Sequence, residues 1–199
     1  MKKKILISIL IIFSVLIILG NLLGKGCIVY HEGSFKGKVI DAETKEPIEG
    51  VVVLAIYNVR YPRIIESDTE PEDAVEVLTN KNGEFYIPWN LYLSLKPLAS
   101  GETPEFIIYK PGYCTFPSFQ YFEIFPYSSL RLDNHSLAAN FKQGITIPLP
   151  KLKTTKERDR SYVDASPSTS LPSWKYPKLN KLLDSEYDYI IKMEKGHNF

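Results

Sequence analysis

A mainly β fold, a two-sheet sandwich behind an apolar N-terminal segment, is predicted from three features of this chain. Residues 35–57, FKGKVIDAETKEPIEGVVVLAIY, read as strand, turn, strand, the opening hairpin of such a sandwich. Residues 79–85, TNKNGEF, carry an Asn-Gly pair that supplies the positive φ a tight hairpin needs. Aromatic residues make up 13% of the chain, and 14 Pro with 11 Gly provide the punctuation that short strands require.

The N-terminal segment sets the compartment. Lys2, Lys3 and Lys4 precede an apolar run over residues 5–19, interrupted by Ser8 and Ser14, and the run resumes at Leu22 and Leu23. A core of about 15 apolar residues fits a signal peptide. Extended to Leu23 it makes roughly 28 Å of helix, just enough for a bilayer core of about 30 Å. Residues 1–26 are therefore predicted as a signal peptide or transmembrane anchor. The lysines favour the cytoplasmic side, so the rest is expected to be extracytoplasmic, periplasmic or cell-surface. Gly24 and Gly26 stand three and one before Cys27, a spacing that signal peptidases accept. Cys27 is itself a candidate for lipidation, as in bacterial lipoproteins, although Leu23 lies one residue too far away and Lys25 replaces a small residue. Retained anchor, lipoprotein and released protein all stay open.

Composition narrows the partners. A formal charge of +1 argues against nucleic acid, whose binding needs a concentrated basic surface. Roughly 170 residues after the leader suffice for one domain and a tail. Cys27 and Cys114 are candidates for a disulfide, whose loop closure would contribute roughly 4 kcal/mol. The alternative is a lipidated Cys27 with a buried, inert Cys114.

Taken in order, residues 34–40 alternate with period two and predict a half-buried strand. Residues 41–50 are a polar turn around Pro47 and Gly50. Residues 51–57 are almost wholly apolar and β-branched, as in a central strand covered on both sides. Residues 58–73 hold Arg60, Arg63 and then five carboxylates, and predict an exposed excursion. Strands follow at 74–79, 84–87 and 105–110, with turns at 80–83 and 111–112. Residues 88–101 read as a loop or short helical turn. Residues 113–127 are dense in rings, residues 131–140 suit a helical turn, and residues 141–149 the last strand. The polar, Pro/Ser-rich residues 151–176 predict an extended linker or strap. Residues 177–196 recover helical period, with Leu179, Leu182, Leu183, Tyr187, Ile190 and Ile191 on one face and Pro177 at the start. That apolar face fits either its own sandwich or a partner.

The residues Gly37-Lys38-Val39-Ile40-Asp41, Thr44, Pro47-Ile48-Glu49-Gly50-Val51-Val52-Val53, Thr79 to Phe85, and Tyr109-Lys110-Pro111-Gly112-Tyr113 together resemble the carboxypeptidase regulatory-like domain. The resemblance covers residues 35–149, with longer excursions at 58–73 and 88–101. It implies a Greek-key transthyretin/immunoglobulin-like β-sandwich over residues 34–150, with an N-terminal membrane helix and a C-terminal amphipathic helix outside it. It also implies an accessory module of exported or surface proteins rather than an activity, because the shared positions are structural. The hydroxyisourate hydrolases, enzymes on a transthyretin-like fold, use clustered His and Arg and a Tyr-Arg-Gly-Ser ending, a pattern not found in these residues.

Candidate chemistry is sparse. His31, His135 and His197 stand alone in sequence without metal-ligand spacing. Asp41, Glu43, Glu46 and Glu49 lack the ordered oxygen spacing of a calcium loop. Ser34, Ser118 and Ser136 have no nucleophile-elbow pattern, and Cys114 would need His135 as its base. No cofactor, metal or catalytic set is predicted. The candidate ligand surface is aromatic, comprising Trp89, Tyr92, Phe119, Tyr121, Phe122, Phe125 and Tyr127, whose outward rings could stack on sugar or grip a peptide. The sequence thus predicts a non-enzymatic membrane-tethered module supporting envelope protein or glycan contacts. The alternative is an assembly subunit docking through its C-terminal helix.

Overall fold

The computed structural model describes residues 2–22, 29–63, 67–96, 98–126, 134–167 and 170–196. The lysine-led apolar run winds into α1 (Lys2–Leu22), whose described large apolar side chains are all exposed. Among the described residues no helix is long and apolar enough to cross a membrane. Cys27, Tyr127 and His197 lie outside the described residues.

Strand β1 (Val29–Glu32) is followed by β2 (Phe35–Asp41), where Phe35, Val39 and Asp41 are buried with the alternation a pleat dictates. Next come β3 (Val52–Pro62), β4 (Ser67–Leu78), β5 (Glu84–Ile87), β6 (Asn90–Leu93), β7 (Ser100–Gly101) and β8 (Glu105–Tyr109). Short helix α2 (Phe119–Ile124) and α3 (Asn134–Gln143) precede β9 (Ile145–Leu149). The chain ends in α4 (Thr155–Asp164), a 3-10 turn over Ser173–Lys175 and α5 (Pro177–Gly196).

Two sheets stack face to face. One has the order β5-β2-β9, with β9 parallel to β2 and β5 antiparallel to it. The other has β3 between β4 and β8, with the two-residue β7 pairing the far end of β3. Phe35, Val39, Phe85, Ile87, Ile147 and Leu149 from the first meet Val53, Ala55, Tyr57, Val59, Phe106 and Ile108 from the second in one core. Helix α3 closes that core with Leu137 and Phe141, the Phe141 ring lying 4.5 Å from Phe106 and 5.6 Å from Phe85.

The predicted central strand is indeed covered twice. Val52, Leu54 and Ile56 of β3 point away from the sandwich into a second cluster with Tyr109, Leu171, Tyr176, Leu179 and Leu183. Helices α4 and α5 and the 3-10 turn supply the cover.

Several expectations need correction. The strand pairs 35–57 and 74–87 are not hairpins, because β2 and β5 lie in one sheet while β3 and β4 lie in the other. The turns at 41–50 and 79–83 therefore cross between sheets. Only glycine suits position 83, where φ is +72° and a Cβ would sit 2.3 Å from the Val39 carbonyl oxygen. The excursion at residues 58–73 is built of strand in its described residues, since β3 and β4 run on as a two-stranded arm with paired register from Asn58↔Pro71 to Pro62↔Ser67. Within residues 88–101 lie the strands β6 and β7, and Phe141 belongs to α3 rather than to the last strand.

The linker at 151–176 is a strap that carries a helix. Thr154 caps α4, its Oγ1 accepting from Glu157 N while the Glu157 carboxylate accepts from Thr154 N, a reciprocal capping box. Buried Ser161 ties α4 down: its Oγ accepts from Thr115 N at 2.8 Å and donates to the Tyr113 carbonyl at 3.0 Å.

Candidate functional site

The predicted aromatic surface divides on folding. Tyr92 is buried, its ring 5.4 Å from Tyr30 and 5.3 Å from Tyr57, so it is core and not surface. Tyr121 is likewise fully buried against Phe116, while Phe122 and Phe125 are half-buried beside it. Of the described members of that surface, Phe119, 83% exposed, and Trp89, 66% exposed, present whole rings to solvent. Residues 119–124 are helical, so the rings there divide by helix face. Ser118 starts that helix, its Oγ accepting from Tyr121 N at 3.1 Å and donating to the Thr115 carbonyl at 2.8 Å.

Phe119 stands at the rim of an open cleft of about 320 Å³, lined also by Pro117, Ser118, Phe122 and Asp164. Asp164 ends α4 and turns one carboxylate oxygen, Oδ2, into a buried position without a hydrogen-bond partner. Burial raises its carboxyl above the ordinary range, against the pull of Arg160 and the nearby Ser118 hydroxyl.

Behind this cleft lies Cys114, a free and fully buried thiol, its Sγ 3.8 Å from Ser118 Oγ and 3.7 Å from the Thr115 carbonyl. Burial pushes the thiol up to about 11, so it stays neutral at physiological pH and is a poor nucleophile. His135, its suggested base, instead sits with Nδ1 at 3.3 Å from Thr103 Oγ1. The arrangement can hold a ligand by stacking on the exposed Phe119 ring; it offers no activated nucleophile.

Of the carboxylates considered for a calcium loop, Asp41 is engaged within the fold, while Glu43, Glu46 and Glu49 are exposed. Burial alone would raise Asp41, yet the N–H groups of Thr44 and Glu43, with Lys151 and Tyr113, outweigh it and hold the carboxyl well below its usual range. On the β3–β4 arm, Glu70 and Glu72 both pair with Lys96, at 2.8 and 2.7 Å. Asp73 pairs with Lys175 at 2.6 Å and accepts from Asn90 Nδ2 at 2.9 Å. Glu76 caps the start of α5, accepting from Lys178 N and Leu179 N at 2.6 and 2.9 Å. The acidic stretch thus receives the C-terminal layer. Among the described residues no group of His, Cys, Asp and Glu is placed to hold a metal.

The C-terminal helix face is occupied by its own domain. Leu179, Leu183 and Ile190 are buried, Leu182 and Ile191 are half-buried, and Tyr187 is exposed. Glu186, 2% exposed, receives a bidentate pair from Arg158 of α4, both bonds 2.6 Å, and the guanidinium lies 3.7 Å from the Tyr189 ring.

A second apolar surface went unrecognised in the sequence. β1 and β6 form an antiparallel ribbon with register from Val29↔Leu93 to Glu32↔Asn90. Tyr30, Tyr92 and Ser94 face inward, while Val29, Leu91, Leu93 and Leu95 point out at 42%, 51%, 60% and 86% exposure. The signal was present: residues 89–95, WNLYLSL, alternate strictly, which is a strand period rather than a loop.

Compared with known proteins, the chain matches no family model, no curated protein and no solved structure.

Proposed function

We propose that this chain is a non-enzymatic, membrane-tethered extracytoplasmic module that supports protein or glycan contacts in the cell envelope, using the Phe119 cleft. The observation that carries the reading is an exposed ring at the rim of an apolar cleft, beside a carboxylate with an unpartnered oxygen. A ligand with an apolar face suits the ring and the apolar cleft, and both sugars and peptides present one. The neutral Cys114 thiol favours binding over nucleophilic chemistry.

The tether is the finer part of the proposal. Three lysines followed by a run that stays apolar to Leu23, apart from Ser8, Ser14, Gly20 and Asn21, support an anchor with its charged end in the cytoplasm. The stacked sheets support a Greek-key module of the carboxypeptidase regulatory-like kind. Docking of α5 on its own sheet leaves the assembly reading without the free helix face it needs.

Two measurements test it. In a Cys27→Ser background, a Thr44→Cys variant should react with a membrane-impermeant maleimide in intact cells; labelling only after lysis would place the domain in the cytosol and end the proposal. Phe119→Ala should lower retention of the full chain on isolated envelope glycan or peptide fractions several-fold, with its unfolding midpoint unchanged. Equal retention would remove the cleft from the reading.

A further inference from the structure

The outward face of the β1–β6 ribbon is apolar apart from His31, exposed opposite Leu91, where a sandwich edge would ordinarily be mostly polar. Val29, Leu91, Leu93 and Leu95 project from it, and Trp89 continues the same period-two series one residue before β6. Single exposed apolar residues mean little, but a contiguous stripe on one face marks a surface that meets something other than water.

The ribbon is held so that these side chains cannot fold inward. Tyr30 stacks on Tyr92 beneath them and donates its hydroxyl to the Ala99 carbonyl at 2.9 Å. Ser94 Oγ donates to Glu72 at 2.8 Å. The inner side of the ribbon is thus fixed to the body, and the outer side is displayed.

The chain itself says what lies near that face. Val29 is seven residues beyond Leu22, the last residue of α1, so the two are within about 25 Å of each other whatever path joins them. An apolar surface leashed that closely to an apolar helix shares its surroundings. The flanking carboxylates are paired, Glu32 with Lys142 at 3.5 Å, Glu72 with Lys96, Glu70 with Lys96 and Arg63, and Asp73 with Lys175. A headgroup layer would therefore meet little unpaired negative charge at the rim. Tryptophan, with an apolar body and an N–H, favours the membrane–water boundary.

We propose that this face, Val29, Trp89, Leu91, Leu93 and Leu95, seats in the interfacial layer of the phospholipid bilayer that α1 engages. The seat rests on the tether reading above. It orients the domain, because a chain fixed by one helix alone can swivel, whereas a helix and a seated ribbon give two points of attachment.

The test uses the full chain reconstituted into phosphatidylcholine–phosphatidylglycerol vesicles with or without brominated acyl chains. The sequence has two tryptophans, so Trp174→Phe leaves Trp89 as the sole reporter. A control reporter comes from Lys81→Trp in a chain also carrying Trp89→Phe and Trp174→Phe, since position 81 lies at the opposite end of β5. Brominated lipid should quench Trp89 several-fold more strongly than the reporter at 81. Leu91→Lys with Leu93→Lys, both at exposed positions, should bring Trp89 quenching down to the control level while flotation with vesicles persists. Flotation with equal quenching at the two sites overturns the seat and spares the tether; failure to float overturns both. Loss of a detergent-solubilised dimer in the lysine variants, with no quenching of Trp89 beforehand, would identify the face as a contact between copies and overturn the seat as well.

Discussion

The two faces of the β4-β3-β8 sheet share one strand yet are covered by different means. Towards the sandwich, β3 meets a second sheet and α3 across a core full of rings: Phe35, Tyr57, Phe85, Phe106 and Phe141 among them. Away from it, the same strand meets helices across a mainly aliphatic cluster whose buried rings are Tyr109 and Tyr176, with Tyr162 at its edge. The first face is closed by apolar packing. The second is closed by polar clamps placed around a smaller apolar patch: Ser161 on the Thr115 backbone, Glu76 on the α5 N-terminus, and Arg158 on Glu186. The contrast teaches that one strand can belong to two cores only if the second is positioned by directional bonds, since apolar contact alone does not fix where a helix lies.

The sharpest way to break the comparison is to empty the ring-packed side. Phe141→Ala should destabilise the fold by about 3–5 kcal/mol, read from urea unfolding, because it deletes a fully buried ring and leaves a cavity. A loss below 1 kcal/mol would mean that α3 is not part of the cooperative core. On the helix-covered side, Arg158→Ala strands a buried carboxylate and should cost about 3 kcal/mol, whereas Arg158→Met with Glu186→Leu should recover most of it. If the double variant is no better than the single one, the pair does more than compensate its own burial.

The smallest effect is expected where the two regions join. Asp41, at the end of β2, holds Lys151 at the start of the strap, and its carboxyl is depressed in the folded chain. A depressed carboxyl gives stability that is full above its unfolded value of about 3.9 and is lost as pH falls below it. Asp41→Asn should therefore be less stable than the parent at neutral pH, and the gap should narrow in acid below about pH 4. A gap that stays constant from pH 7 to strong acid would show that Asp41 acts through geometry and not charge.

What could be read beforehand follows the same division. The apolar run of β3 announced its double burial, and the Leu179, Leu183 and Ile190 stripe announced α5, because both are local periodicities. The capping box of Thr154 and Glu157 was equally local, but the polar texture around it suggested extended chain. The crossings between sheets were not legible, since a turn that changes sheet uses the same Pro, Asn and Gly as a hairpin. Nor was the Arg158–Glu186 clamp, whose partners stand 28 residues apart with no pattern linking them. For the candidate site, Phe119 and Trp89 were identified as rings, but which rings would stay outside depended on a short helix and an edge ribbon.

The ribbon of β1 and β6 has a mechanical consequence. Whatever pulls on the N-terminal segment loads Val29 first, at one end of an antiparallel ladder that closes at Glu32 and Asn90. Force applied there across the strands opens the pairs in sequence, like a zip, whereas force along them would shear the pairs together. The stacked tyrosines at the second rung, Tyr30 on Tyr92, are then the catch that protects the body of the molecule from strain transmitted along its leash.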